Sequence, residues 1–173
     1  MINNSYIIHI LFIYYLYIDI MFYKIFSGVD IDADKIGKYR MSYDDFSGIY
    51  LQTSIAHANN YIEHKANLDV LETKLCLCEI DVKLSYITVD DKLFGDSRID
   101  SKYKANILKK MFDISPDKLL MDELKHPIMI YDADDYELII PHHLFNKQNI
   151  CIRVINVFDI KEKKIGDILY RYV

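Results

Sequence analysis

Tryptophan is absent from this chain, and cysteine, proline and glycine are scarce: three, three and five residues in 173. Each shortage removes a class of protein. Three cysteines, Cys76, Cys78 and Cys151, cannot build the disulfide framework of a small secreted domain, and a reducing, cytoplasmic setting fits them best. Cys76 and Cys78 alternate in KLCLCEIDV, so on a strand they share one face and pack as small hydrophobes. Their C-x-C spacing is not that of a zinc site. The five glycines are scattered, which leaves no phosphate-cradling loop, no dinucleotide fingerprint and no nucleophile elbow. A basic excess is also missing. With a formal net charge of −5, the chain lacks the cations that coat a nucleic-acid backbone, so no stable nucleic-acid binding is expected. That leaves room for an enzyme that visits nucleic acid briefly. His142 and His143 are adjacent and would point to opposite faces of a strand. His57 and His64 share a helical face and read as surface residues. No metal is predicted.

What is present is an ordinary globular composition, 51% hydrophobic and 27% charged, of a length that suits one domain. The exception is the run from Tyr6 to Phe26, YIIHILFIYYLYIDIMFYKIF, just long enough to span a bilayer. Asp19 within it would be expensive in lipid. No basic segment precedes the run and no small-residue cleavage site follows, so it is a poor signal peptide. Three readings stand: a membrane anchor through residues 6–26, a leader ahead of a domain that begins near Met21, or a strand or helix covered by a partner chain. The expected organisation is an apolar segment at 1–20 and a single domain at 21–173.

Within 21–173 the pattern changes often. MFYKIFSG predicts a first core strand. VDIDADKIGKYR carries acids early and bases late, the order that suits a short helix. IYLQ reads as a buried strand. TSIAHANNYIEHKA reads as a helix capped by Thr53 or Ser54. KLCLCEIDVKLSYITV is the clearest strand, with a phase shift near Glu79 that suggests a bulge. Tyr103, Ile107, Leu108 and Met111 stripe an amphipathic helix that stops before Pro116. A second short helix is expected with Ser115 as cap. HPIMIYDADDYELIIP holds two strands around an acidic turn, NICIRVINVFDIKE closes the sheet, and KKIGDILYRYV is a short amphipathic tail. Strands and helices mix without a βαβ rhythm, which predicts an α+β domain on a curved, largely antiparallel split sheet with flanking helices.

Two segments draw chemical interest. In YDADDYELIIP the acids are either a solvated turn or the setting for Glu137 at the mouth of a buried strand. A carboxylate there can accept hydrogen bonds from a sugar hydroxyl and stabilise positive charge growing on a ring carbon, as in glycosidic cleavage. In GIYLQTSIAHANNY, Tyr50 and Tyr61 are either core aromatics or the two walls of a slot for a flat cation such as a nicotinamide ring. Thr53 and Ser54 supply hydroxyls for its carboxamide.

GIYLQTSIAHANNY resembles the tyrosine segment of the ADP-ribosyltransferase superfamily, in its poly(ADP-ribose) polymerase and diphtheria-toxin-like branch. DDYELIIPHHLFNKQNICIRVINV is similar to that superfamily's catalytic glutamate strand. The resemblance runs from Met21 to about Lys161 and preserves the order of the segments. It implies NAD as substrate, Glu137 as catalytic glutamate, Tyr50 and Tyr61 as nicotinamide-stacking residues, Thr53 or Ser54 as hydroxyl contacts, and Asp135 at the acceptor-selecting position two residues before the glutamate. The family's first strand carries His or Arg for the NAD ribose; here Lys24 lies nearest that place, a flexible point charge instead of a planar donor. The implied activity is mono-ADP-ribosyl transfer to an acceptor on protein, nucleic acid or a small molecule. The alternative is a non-catalytic α+β interaction module, tethered through residues 1–26.

Overall fold

The computed structural model describes residues 20–28, 30–40, 42–59, 72–90, 94, 100–132, 135–164 and 167–172. The expectations for residues 1–19, and the ring of Tyr61, lie outside the described residues. Among the described residues no helix is long and apolar enough to cross a membrane.

Runs of alternating or continuous apolar residues give eight strands: β1 (Phe22–Ser27), β2 (Gly48–Gln52), β3 (Glu72–Val82), β4 (Ile87–Asp90), β5 (Ile128–Asp132), β6 (Asp135–Pro141), β7 (Ile150–Lys164) and β8 (Asp167–Tyr172). They form one sheet in the order β4-β5-β6-β2-β1-β3-β7-β8. Every neighbouring pair is antiparallel except β4 and β5. That parallel pair requires a crossover, supplied by α3 (Ser101–Met111) and α4 (Leu120–Glu123). Among the described residues the other helical pieces include α1 (Ala33–Lys38), residues 55–59 (α2) and a 3-10 turn at His142–Leu144. The chain is thus α+β with a mostly antiparallel open sheet and few helices.

Apolar residues on both faces of the sheet explain the layers. One face carries Phe22, Phe26, Ile49, Leu51, Cys76, Cys78, Ile80, Leu138 and Ile140, and is covered by α1 and Phe145. On the opposite face, α3 and α4 bring Ala105, Leu108, Leu120 and Met121 against Val89, Ile128 and Ile139. Farther along that second face Ala58 of α2 packs with Ile25, Leu75, Leu77 and Phe158.

Several local expectations are corrected. The shift in KLCLCEIDV does not interrupt the alternation of β3. Cys76, Cys78 and Ile80 keep to one core and Leu75 and Leu77 to the other. The sequence looks out of phase because the second face becomes wetter from Glu79 onward. The register slip is real, but it falls between Leu77 and Cys78 and skips Ile155 of β7. Ile87–Val89 of that stretch belong to a separate strand, β4. Ser115 does not cap a helix: its hydroxyl bonds the Asp117 carboxylate, and α4 starts only after Leu119. Ser54, not Thr53, caps α2, its Oγ accepting from the amides of Ala56 at 3.1 Å and His57 at 3.4 Å. The tail is the edge strand β8.

α1 begins at Asp32, whose carboxylate accepts from the amides of Asp34 and Lys35. It rests directly on the His142–Leu144 turn because residue 37 has no side chain. A Cβ at Gly37 would lie 2.0 Å from the carbonyl oxygen of Phe145. Backbone cannot give way as a side-chain tip can, so Gly37→Ala should cost roughly 2–3 kcal/mol through overpacking. Urea denaturation checks this; an unchanged midpoint would show that α1 can lift without loss.

Candidate functional site

The sheet order sets β6, β2 and β1 side by side, so three segments remote in sequence meet. β2 and β6 pair without a slip over five residues, Tyr50 facing Ile139 and Gln52 facing Glu137. The Gln52 side-chain amide donates to Glu137 Oε1 at 2.6 Å. On its other side β2 is joined to β1 through a single registered pair, Tyr23 with Gln52. Tyr23, Gln52 and Glu137 therefore form one row across three strands.

Beyond that row β1 and β2 part. Lys24 spans the gap, its Nζ donating to the Tyr50 carbonyl oxygen at 2.8 Å. It serves that carbonyl where a neighbouring strand's amide would otherwise do so. Burial pushes the Lys24 ammonium below its usual lysine range, while the nearby charge of Glu137 acts in the opposite direction. Lys24 is thus a strut between two strands that lies within the field of Glu137.

Tyr50 is tied from its side-chain end too. Its ring packs against the core under α3 and α4, and its hydroxyl donates to the Phe46 carbonyl at 2.8 Å. Burial, then Glu137 and Asp44, push its phenol up to about 12, so it is neutral at any physiological pH. Ser54 is engaged in capping α2. Thr53 lies in the bend after β2, and Asp135 opens β6 opposite Asp132. The structure brings Lys24, Tyr50 and Glu137 together, and adds Gln52. Nothing in the sequence singles Gln52 out: it is the last residue of IYLQ, and only the β2–β6 register sets it against Glu137.

The parting strands open a cleft of about 780 Å³ under α1. β2 and β6 leave no gap between them, so the space lies on the β1 side of the Tyr50 strand, not between that strand and the Glu137 strand. Lys24, Phe26, Ile36, Ser47, Ile49 and His142 are among its lining residues. Glu137 is not among them; Lys24, which lines the cleft and feels Glu137, links the two. Arg40 stands behind this wall. Its Nε donates to the Ser42 carbonyl at 2.8 Å and to Ser47 Oγ at 3.1 Å, its Nη1 meets Asp122 at 2.8 Å, and its guanidinium stacks 4.6 Å from the Tyr43 ring. Arg40 Nη2, His142 Nδ1 and Gln52 Oε1 are buried without a hydrogen-bond partner. Burial first, then the Arg40 charge, holds the His142 imidazole below its ordinary range.

The cysteines are not part of this chemistry. Cys76 and Cys78 are buried and Cys151 is exposed. Burial drives the Cys78 thiol up to about 12 and also raises Cys76. Since thiolate is the reactive form, a thiol reagent at pH 8 should label one equivalent quickly on native protein, and three only after denaturation. Mass mapping should find the fast label on Cys151; rapid labelling of Cys78 would contradict the packing.

No protein-family model matches this sequence, and no curated protein matches it.

Proposed function

We propose that the chain is an ADP-ribosyltransferase-like enzyme that splits the bond between nicotinamide and ribose in NAD and passes ADP-ribose to an acceptor, one unit at a time. The observation that carries this reading is the adjacency of Glu137, Tyr50 and Lys24 on three neighbouring strands, the Glu137 carboxylate held by Gln52 at 2.6 Å.

In this reading Glu137 accepts a hydrogen bond from the nicotinamide ribose and faces the positive charge that grows on its anomeric carbon as the C–N bond breaks. Nicotinamide leaves with the bonding electron pair and so becomes neutral. The acceptor nucleophile then bonds to the same carbon and gives up its proton. Gln52 holds the carboxylate in one orientation, so little reorganisation remains for the moment of bond breaking. Lys24 fixes the Tyr50 backbone and keeps a cation in the field of the carboxylate.

The test is direct. The full chain is incubated with NAD, released nicotinamide is measured by chromatography, and thermal midpoints are read with and without NAD. Release above the spontaneous rate, with a raised midpoint, is the expected result. Neither release nor stabilisation would overturn the reading and favour an interaction module, in which the bonds of Lys24 and Tyr50 are purely structural.

A further inference from the structure

The cleft under α1 has a character that the proposed chemistry does not use. Its walls are apolar at Phe26, Ile36 and Ile49, and its charged lining is cationic: Lys24 and Lys35. No carboxylate is among its described lining residues, although the chain as a whole carries a net charge of −5. The balancing acids stand outside. Lys35 pairs with Asp30, Arg40 with Asp122, and Lys24 feels Glu137. Arg40 lies outside the lining and braces the wall through the Ser42 carbonyl and Ser47 Oγ. His142, whose Nδ1 is buried without a hydrogen-bond partner, is among the lining residues.

Shape and charge together select a ligand. A cavity of about 780 Å³ falls within the range of small-molecule sites, which are mostly apolar with a few placed polar groups. Low-dielectric walls strengthen the attraction of the cations for an anion. We propose that this cleft binds an amphipathic small anion, an apolar body lying along Phe26, Ile36 and Ile49 with one carboxylate or phosphate headgroup turned to the lysines and the serine-lined wall. The site shares Lys24 and Tyr50 with the NAD reading, but Glu137 does not line it, so binding of the anion can be read without NAD.

Calorimetric titration of the full chain at low salt, with no NAD present, tests it with four probes: octyl phosphate, octanoate, octanol and inorganic phosphate. Octyl phosphate and octanoate should each bind at one site, at least tenfold tighter than octanol or inorganic phosphate. The tighter of the two identifies the headgroup. Ser42→Trp, at an exposed lining position whose carbonyl bonds to Arg40 and Ser47 are kept by the backbone, should fill the space and weaken binding at least tenfold. Lys35→Glu should weaken it about fivefold, and less as salt rises. Circular dichroism confirms that both variants are folded. Absence of saturable binding by either amphiphile would overturn the proposal. So would octanol binding as tightly as octanoate, inorganic phosphate as tightly as octyl phosphate, or wild-type affinity in both variants. Because turnover of NAD is read in a separate assay, either proposal can fail alone.

Discussion

Glu137→Gln should lower nicotinamide release from NAD by about a hundredfold or more while leaving the fold as stable as the wild type. The substitution keeps size and shape and removes only charge. Transition-state charge stabilisation by one preorganised group is commonly worth 10²–10³ in rate, and here the carboxylate is the group assigned to the oxocarbenium. Stability should hold because the carboxamide introduced at position 137 can still accept from the Gln52 amide through its oxygen. Its nitrogen can reach the Gln52 Oε1 atom that has no partner in the wild type. Lys24 should respond as well. It loses the opposing charge that lifts its pKa, so burial acts on it less opposed. Turnover within twofold of wild type would sink the mechanism even if the wild type is active. A matching loss of rate and of thermal stability would assign Glu137 to structure instead.

Lys109→Ala should destabilise the chain by about 3 kcal/mol, the range for removing one partner of a buried ion pair. Lys109 is 5% exposed. Its Nζ lies 2.7 Å from Asp45 Oδ1 and donates to the Pro116 carbonyl at 3.3 Å. The same Asp45 oxygen accepts from the Leu120 amide at 2.9 Å. One carboxylate in the loop before β2 therefore anchors α3, the Pro116 turn and the start of α4. Without the lysine that carboxylate keeps its desolvation cost and loses its counter-charge. Lys109→Met, which restores apolar bulk and the long stem, should not rescue, since Asp45 stays unpaired. The double variant Lys109→Met with Asp45→Asn should recover part of the loss. Urea titrations of the four proteins decide the matter. A loss below about 1 kcal/mol for Lys109→Ala would mean that the pair is effectively a surface contact.

Residues such as Lys109 mark where sequence reasoning stops. The strands are legible because their burial is periodic: MFYKIFSG, IYLQ and ELIIP each form a strand of the core. The acid-to-base order of α1 and the stripe at Leu108 are legible for the same local reason. Tyr103, read into that stripe, is 53% exposed, and Lys109 next to Leu108 is buried. The reason is a carboxylate far away in sequence, which no helical period encodes. The order of strands in the sheet is likewise non-local. It makes Gln52 the partner of Glu137 and Lys24 the strut to Tyr50, and neither pairing leaves a trace in the spacing of residues. The bulge is felt in β3 but belongs to the register with β7, because a period reports which face is wet and not which partner slips. Glu137, Tyr50 and Lys24 are singled out by the family resemblance alone. Ser47 and His142 are not, since each reaches the cleft from a loop or turn.

The single pair that joins β1 to β2 divides the sheet into β4-β5-β6-β2 on one side and β1-β3-β7-β8 on the other. The backbone crosses this seam four times, between β1 and β2, β2 and β3, β3 and β4, and β6 and β7. The join is poor in hydrogen bonds but laced by covalent chain. Neither half is one continuous stretch of sequence, so no single cut could release a folded half, and neither half can be completed during synthesis before the other has begun. Five of the seven pairings must close a long loop, only β5–β6 and β7–β8 being hairpins, and this slows assembly. Once formed, the two halves are held less by backbone hydrogen bonds than by the core they share, in which Phe22, Phe26 and Cys76 meet Ile49, Leu51 and Leu138, and by the chain stitched through the spine.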